Sequence, residues 1–193
     1  MINSKEELLG VHAIPLYRPQ ACKRILDRVK KLDNWEDAQV RTWEADNGFG
    51  SEFLPSARDA CILPLSEGED IYRNFDLKID RIIKPFVSQQ WRTNFSEHSG
   101  TQLVRYRTGG HYVAHKDAGL DYADRYFTIL CYLNEDFEGG GTRFPSLKYT
   151  VSPQCGKAVV FPSNYAHQAE PVSHGEKYVL VAWLVGPAPI RWI

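Results

Sequence analysis

Apolar residues recur at helical spacing in the first half of the chain and give way to short β-type runs from Thr101 onward. In residues 19–32, PQACKRILDRVKKL, the side chains of Cys22, Ile25, Leu26, Val29 and Leu32 share one helical face behind Pro19. Lys23, Arg24, Lys30 and Lys31 fall elsewhere on the wheel and are read as a solvated face. A second helix is expected over 69–91, with Ile71, Phe75, Ile79, Ile82 and Phe86 as its apolar stripe and Pro85 kinking or ending it. The intervening stretch, 35–65, is broken by Gly48, Gly50, Pro55 and Pro64. Residues 40–44 read as a strand and the turn-rich part after them as a loop. Arg41 and Trp43 are candidates there for lining a cleft, and equally for ordinary packing.

Strands are expected over 102–107, 111–115, 126–133, 142–145, 157–161, 166–170 and 177–185, separated by Gly and Pro turns. Helices followed by many short strands predict a mainly β fold, a sandwich or barrel with helices packed on an outer face. The expectation is a single domain over 1–193: helical support and substrate-side elements in 1–100, and a β core carrying the chemistry in 101–185.

Composition narrows the function classes. The chain has 193 residues, 43% hydrophobic and 24% charged, and a formal net charge of −1. Without a basic run or an acidic tail, no general attraction to nucleic acid or membrane is expected. The first residues, MINSKEELLG, lack the apolar core of a signal peptide and no segment approaches spanning length, so a cytoplasmic location is expected. Cys22, Cys61, Cys131 and Cys155 form no CxxC pair and are read as free thiols.

The candidate chemistry centres on QLVRYRTGGHYVAHKD, residues 102–117, a strand, a Gly-Gly turn and a second strand ending on His115-Lys116-Asp117. Residues i and i+2 of an extended segment face one side, so His115 and Asp117 present an imidazole and a carboxylate together, with Lys116 turned away. One further imidazole completes the 2-His-1-carboxylate face of non-haem Fe(II) oxygenases. His12 and His98 precede the β-rich half and are expected at the surface. His111 sits four before His115, but a zinc-type HxxxH needs a helix, and Gly109, Gly110 and Val113 argue against one. Sharing the parity of His115, His111 is open to a pocket-lining role, whereas His174 lies in a turn. His167 follows KAVVFPSNYA and leads into another strand, whose end a sandwich can bring opposite His115 and Asp117. In KYVLVAWLV, Lys177 shares one side of an apolar strand with Val179, Val181 and Trp183. A lysine entering a dry interior is costly unless it meets an anion; the alternative is that it marks the exposed start of the strand.

With HxD, a later His and a Lys ten residues beyond it, the chain resembles the Fe(II)/2-oxoglutarate-dependent dioxygenases, and among them the prolyl 4-hydroxylase-like group. The resemblance covers residues 101–185 and rests on LVRYRTGGHYVAHKD, FTILCYLNEDFEGGGTRFP and GKAVVFPSNYAHQAEPVSHGEKYVLVAW. It implies a double-stranded β-helix (jelly-roll, cupin-like) core with the N-terminal helices packed on the major sheet. It also implies iron on His115, Asp117 and His167, and Lys177 pairing with the distal carboxylate of 2-oxoglutarate. The family often has arginine there; lysine matches the collagen-type prolyl hydroxylases. Tyr132 matches a tyrosine that bonds the same carboxylate and Tyr106 another on the cosubstrate side, while Thr142 and Trp183 are candidate pocket walls.

The implied activity consumes 2-oxoglutarate and O2, with ascorbate as an accessory reductant, and releases succinate and CO2 as an unactivated C–H is hydroxylated. Related halogenases carry a small residue where this chain has Asp117, so hydroxylation is the expected outcome. The substrate is expected to be a small molecule or short peptide: prolyl or peptidyl, amino-acid-like, or a natural-product intermediate. Arg105, Arg107, Arg125 and Arg143 are candidates for a substrate carboxylate, and equally for surface ion pairs. A cupin-like metalloprotein without 2-oxoglutarate would prefer an HxH pair and a later Glu. A non-catalytic β-sandwich module would have lost at least one of His115, Asp117, His167 and Lys177.

Overall fold

A computed structural model describes residues 4–44, 48–93, 95, 97–119 and 122–186. Its N-terminal half runs β1 (Lys5–Leu8), β2 (Val11–Pro15), α1 (Pro19–Val29), β3 (Glu36–Asp37), β4 (Val40–Glu44), β5 (Gly48–Glu52), β6 (Arg58–Asp59) and β7 (Cys61–Ile62). Next come α2 (Leu65–Lys78), a π-helical turn (Ile79–Ile83) and α3 (Lys84–Trp91). The remainder is β8 (Glu97–Tyr106), β9 (His111–His115), β10 (Arg125–Tyr132), β11 (Glu138–Gly139), β12 (Thr142–Phe144) and β13 (Tyr149–Val151). It closes with β14 (Lys157–Pro162), β15 (His167–Ala169), β16 (Val172–His174) and β17 (Lys177–Val185).

The strands form an eight-stranded sheet, β1-β2-β14-β10-β17-β8-β7-β3, and a five-stranded sheet, β13-β12-β15-β9-β6, with two-stranded ribbons β11–β16 and β4–β5. Alternation along β10 and β17 decides what each face of the large sheet does. Ile129, Cys131, Leu180, Ala182 and Leu184 point into a core shared with Cys22 and Val29 of α1 and with Ile71, Phe75, Ile79, Ile83 and Phe86 of the second helical segment. Leu130, Tyr132 and Val179 point the other way, into a second core with Phe144 and Val151 of the small sheet. Each large side chain so buried contributes about 1.5–3 kcal/mol relative to exposure. The helices thus back one face of the large sheet, and the other face is left for the site.

Three local departures from the sequence pattern have physical causes. Pro85 does not end its helix: the wider turn at Ile79–Ile83 immediately precedes it, where an α-helical register would press the ring on the Arg81 carbonyl. Residues 48–52, expected as a loop, are β5, paired with β4 from Val40↔Glu52 to Glu44↔Gly48. β2, unrecognised in the pattern, is a strand buried at all but its last residue, and His12 on it packs between Phe86 and Trp91 at ring distances of 5.2 and 5.3 Å. His12 is therefore a core residue and not the surface residue expected. Among the described residues no helix is long and apolar enough to cross a membrane.

Candidate metal centre and its cavity

β9 and β15 are antiparallel neighbours, and His115 and His167 are direct cross-strand partners with ring centroids 4.4 Å apart. Asp117 follows two residues after His115, its backbone N–H donating to the Ser163 carbonyl at 3.0 Å. Its Oδ1 lies 3.4 Å from His115 Nε2 and its Oδ2 3.4 Å from His167 Nε2. One ligand atom from each of the three falls within 4.8 Å of the others.

The hydrogen bonds around the triad orient its lone pairs. His115 Nδ1 lies 2.9 Å from the Val113 carbonyl and His167 Nδ1 3.0 Å from the Tyr165 carbonyl. A carbonyl only accepts, so each Nδ1 carries the proton and each neutral Nε2 turns a lone pair toward Asp117. Burial pushes His167 down to about 4, which keeps it neutral. Burial opposes the charge on Asp117, yet beside His115, His167 and the Trp183 indole its carboxyl lies well below the usual carboxylate range. Thr128, on β10 and buried, donates from Oγ1 to Asp117 Oδ2 at 2.7 Å, and its hydroxyl meets that of Ser163 at 3.0 Å. Two imidazole lone pairs and an oriented carboxylate on one face fit a divalent iron and leave positions for other ligands.

The triad lies in the wall of a cavity of about 270 Å³ that also includes Lys177, Tyr106, Thr142 and Trp183. Lys177 enters from the start of β17 and is 2% exposed. Its ammonium donates to the Gly140 carbonyl at 2.6 Å and lies 4.8 Å from the centre of the Tyr106 ring and 5.5 Å from that of Tyr132. No carboxylate among the described residues pairs with it, and burial brings its pKa down to about 7, with Glu170 opposing. A dianionic 2-oxoacid, one end on the triad and the other on this ammonium, would supply the missing charge. Tyr132 stands behind this wall: its hydroxyl meets Thr142 Oγ1 at 2.6 Å, and Thr142 borders the cavity. Trp183 borders it too, and its buried indole N–H is near enough to Asp117 to favour the ionised carboxylate.

Of the arginines singled out, Arg125 lines the cavity. Arg105 lies away from it over the Trp35 ring, 4.4 Å from its centre. Arg107 and Arg143 are exposed, 3.9 Å from Glu176 and Glu170 respectively. Arg41 lines the cavity, whereas the side chain of Trp43 lies outside what the structure describes. Lys116, expected on the far side, borders the cavity as well, because β9 ends at His115 and strict alternation ends with it.

Sequence reasoning missed Tyr112, Arg58, Gln39 and Gln168, all in the cavity wall. His167↔His115 is followed by Ala169↔Tyr112, so β9 gains a residue against β15, a β-bulge that reverses parity. Tyr112 consequently stacks on His115 at 3.6 Å between ring centres with an 18° interplanar angle. His111, which shares the parity of His115 on paper, turns away toward the Gly109 and Ser56 carbonyls at 3.1 and 3.4 Å. The Gly-Gly turn hinted at irregularity, but nothing in the sequence located the bulge.

A jelly roll of antiparallel sheets with a buried 2-His-1-carboxylate face is the arrangement in which mononuclear non-haem iron oxygenases hold their metal. Residues 101–185 match the model of the 2OG-Fe(II) oxygenase superfamily, and the chain resembles its prolyl 4-hydroxylase-like group. A putative prolyl 4-hydroxylase of Acanthamoeba polyphaga mimivirus is 30% identical over 55% of this chain and 54% of its own length. The chain spans about half the length of the curated relatives it matches. The Trichoplax adhaerens prolyl hydroxylase, solved with a hypoxia inducible factor peptide fragment, superposes with TM-score 0.72 at 18% identity, covering 91% of this chain and 83% of that one. A Pseudomonas putida prolyl-4-hydroxylase gives 0.68 at 18% identity over 92% and 93%. These likenesses show the double-stranded β-helix fold.

Proposed function

We propose that the protein is an Fe(II)- and 2-oxoglutarate-dependent hydroxylase acting on prolyl, peptidyl or amino-acid-like substrates. One observation carries this reading: the triad shares its cavity with a buried ammonium that pairs with no carboxylate of the chain among the described residues. A cupin without 2-oxoglutarate has no use for that lysine, and a binding module has no use for the oriented lone pairs. His115, Asp117 and His167 would hold the iron, which when bound couples O2 reduction and 2-oxoacid oxidation to attack on a C–H. Tyr165 and Val113 keep the imidazoles in the binding tautomer through their carbonyls. Lys177, with Tyr106, Thr142 and Tyr132 around it, takes the distal carboxylate and so sets the reach of the 2-oxo end. Leu130, Val179 and Val181 provide apolar wall that strengthens the ion pair by excluding water. The substrate enters beside Tyr112 and Trp183. Relatives named as prolyl 4-hydroxylases and a neighbour solved with a peptide support the prolyl or peptidyl class.

Anaerobic titration with Fe(II) and 2-oxoglutarate tests the assignment. The weak visible absorption of a chelated 2-oxoacid is expected in the wild type and lost in Asp117→Ala and His167→Ala. Absence of both the absorption and 2-oxoglutarate binding in the wild type would sink the reading.

A further inference from the structure

Beyond the cosubstrate end, the charges lining the cavity are one-sided. Among the described residues lining it Asp117 is the only carboxylate, and Arg58, Lys116 and Arg125 stand as cations besides Lys177. Arg125 is the best fixed of them: its guanidinium lies 3.7 Å from the Tyr122 ring centre and 3.8 Å from that of Trp183, clamped between two aromatic faces. Its guanidinium makes no hydrogen bond or close ion pair among the described residues, with Asp117 and Asp124 attracting it only from a distance. Arg58 stands over Tyr112, 4.9 Å from the centre of the ring that stacks on His115. Its Nε is buried and unpartnered, while one N–H goes to the Gln39 carbonyl at 3.3 Å and the guanidinium also neighbours the Tyr106 hydroxyl as a hydrogen-bonding group.

Surface arginines normally find a carboxylate or water. Two guanidiniums held by rings in a cavity wall, each with N–H groups left over, each offer a planar fork suited to an incoming oxyanion. Arg58, Lys116 and Arg125 in one cavity wall also raise the local concentration of anionic molecules.

We infer that the substrate is anionic and that Arg125 and Arg58 hold a carboxylate carried close to the reacting C–H. This rests on the hydroxylase reading and names its substrate class. The carboxylate has two possible sources: an acidic side chain next to the target residue of a peptide, or the free carboxylate of an amino-acid-sized molecule.

The experiment uses matched probes on the anaerobic protein loaded with Fe(II) and 2-oxoglutarate, and on the metal-free protein. One arm compares blocked prolyl pentapeptides with Glu or Gln beside the proline; the other compares N-acetylproline with its amide. The expected result is about tenfold tighter binding of the acid member in at least one arm, by charge-assisted hydrogen bonding. Arg125→Gln should erase that preference and Arg125→Lys should restore part of it, with circular dichroism and melting temperature confirming that each variant folds. The arm showing the preference identifies the source. Equal or equally absent binding of acid and amide in both arms overturns the inference. Because the comparison reads with or without metal, it stands apart from the iron absorption that decides the hydroxylase reading.

Discussion

Thr128 and Lys177 each act through one atom. The Thr128 hydroxyl occupies Asp117 Oδ2 and so leaves the carboxylate one preferred oxygen to offer. Thr128→Val keeps the shape and removes the donor, so metal affinity, measured by competition with a chelator, should weaken about ten- to a hundredfold, and Thr128→Ser should recover most of it. Lys177 costs stability in the cosubstrate-free protein. Its pKa falls from 10.5 in the unfolded reference to about 7 in the fold. Between those values the unfolded chain binds a proton that the folded chain does not, so this contribution rises with pH across the window and the penalty is complete below about 7. Lys177→Met should therefore raise urea stability at pH 6 by about 1–4 kcal/mol, with the gain shrinking toward pH 9, while abolishing 2-oxoglutarate binding. In the wild type, 2-oxoglutarate affinity should fall about tenfold per pH unit above 7, since binding there must take up a proton.

At the level of elements, the site depends on two irregularities that regular strands would lack. The bulge in β9 brings Tyr112 onto the face of His115 and removes His111 from it. Gly156 joins the exit of β2 to the start of β14. Its carbonyl accepts the N–H groups of Leu16 and Tyr17, each at 2.9 Å, and its own N–H donates to the Tyr132 carbonyl at 2.8 Å. It does so at φ 78°, where an added Cβ would run into the Tyr17 carbonyl. Gly156→Ala should cost about 1–3 kcal/mol in a urea titration, from left-handed backbone and that clash together. Helical periodicity of 69–91 was legible because an amphipathic stripe repeats locally. The π turn that lets it pass Pro85 was not, since that register shift depends on what the stripe packs against.

Across the whole molecule, the metal ligands sit on and beside the small sheet and Lys177 sits on the large one. A metal and a 2-oxoacid bound together would tie the two sheets to each other in the folded state alone. Melting temperature should accordingly rise with both added, by an amount equivalent to about 2.7 kcal/mol at a hundredfold excess over Kd. Asp117→Ala should lose the metal-dependent rise and also lower the metal-free melting temperature at neutral pH, because a carboxylate held below its ordinary pKa stabilises the fold there and Thr128 loses its acceptor. The same architecture explains the unexpected burial of His12: β2 joins the edge of β14, so a histidine far from the chemistry in sequence is covered by Phe86 and Trp91.

By itself the sequence determined that His115 and Asp117 share a side and that the last strand is two-sided, because alternation over a few positions survives without tertiary context. His167 and the part given to Lys177 came from the resemblance of three ordered motifs. Lys177, Val179, Val181 and Trp183 do share the cavity side of β17. Only the tertiary structure decided which face the bulge presents and that Arg58 comes from a short strand paired with Tyr112. It also decided that Arg125, and not Arg105, Arg107 or Arg143, is clamped at the cavity. Those facts depend on contacts between segments distant in the chain. A guanidinium's fate is set by which rings and carboxylates fold against it, and local pattern does not encode that.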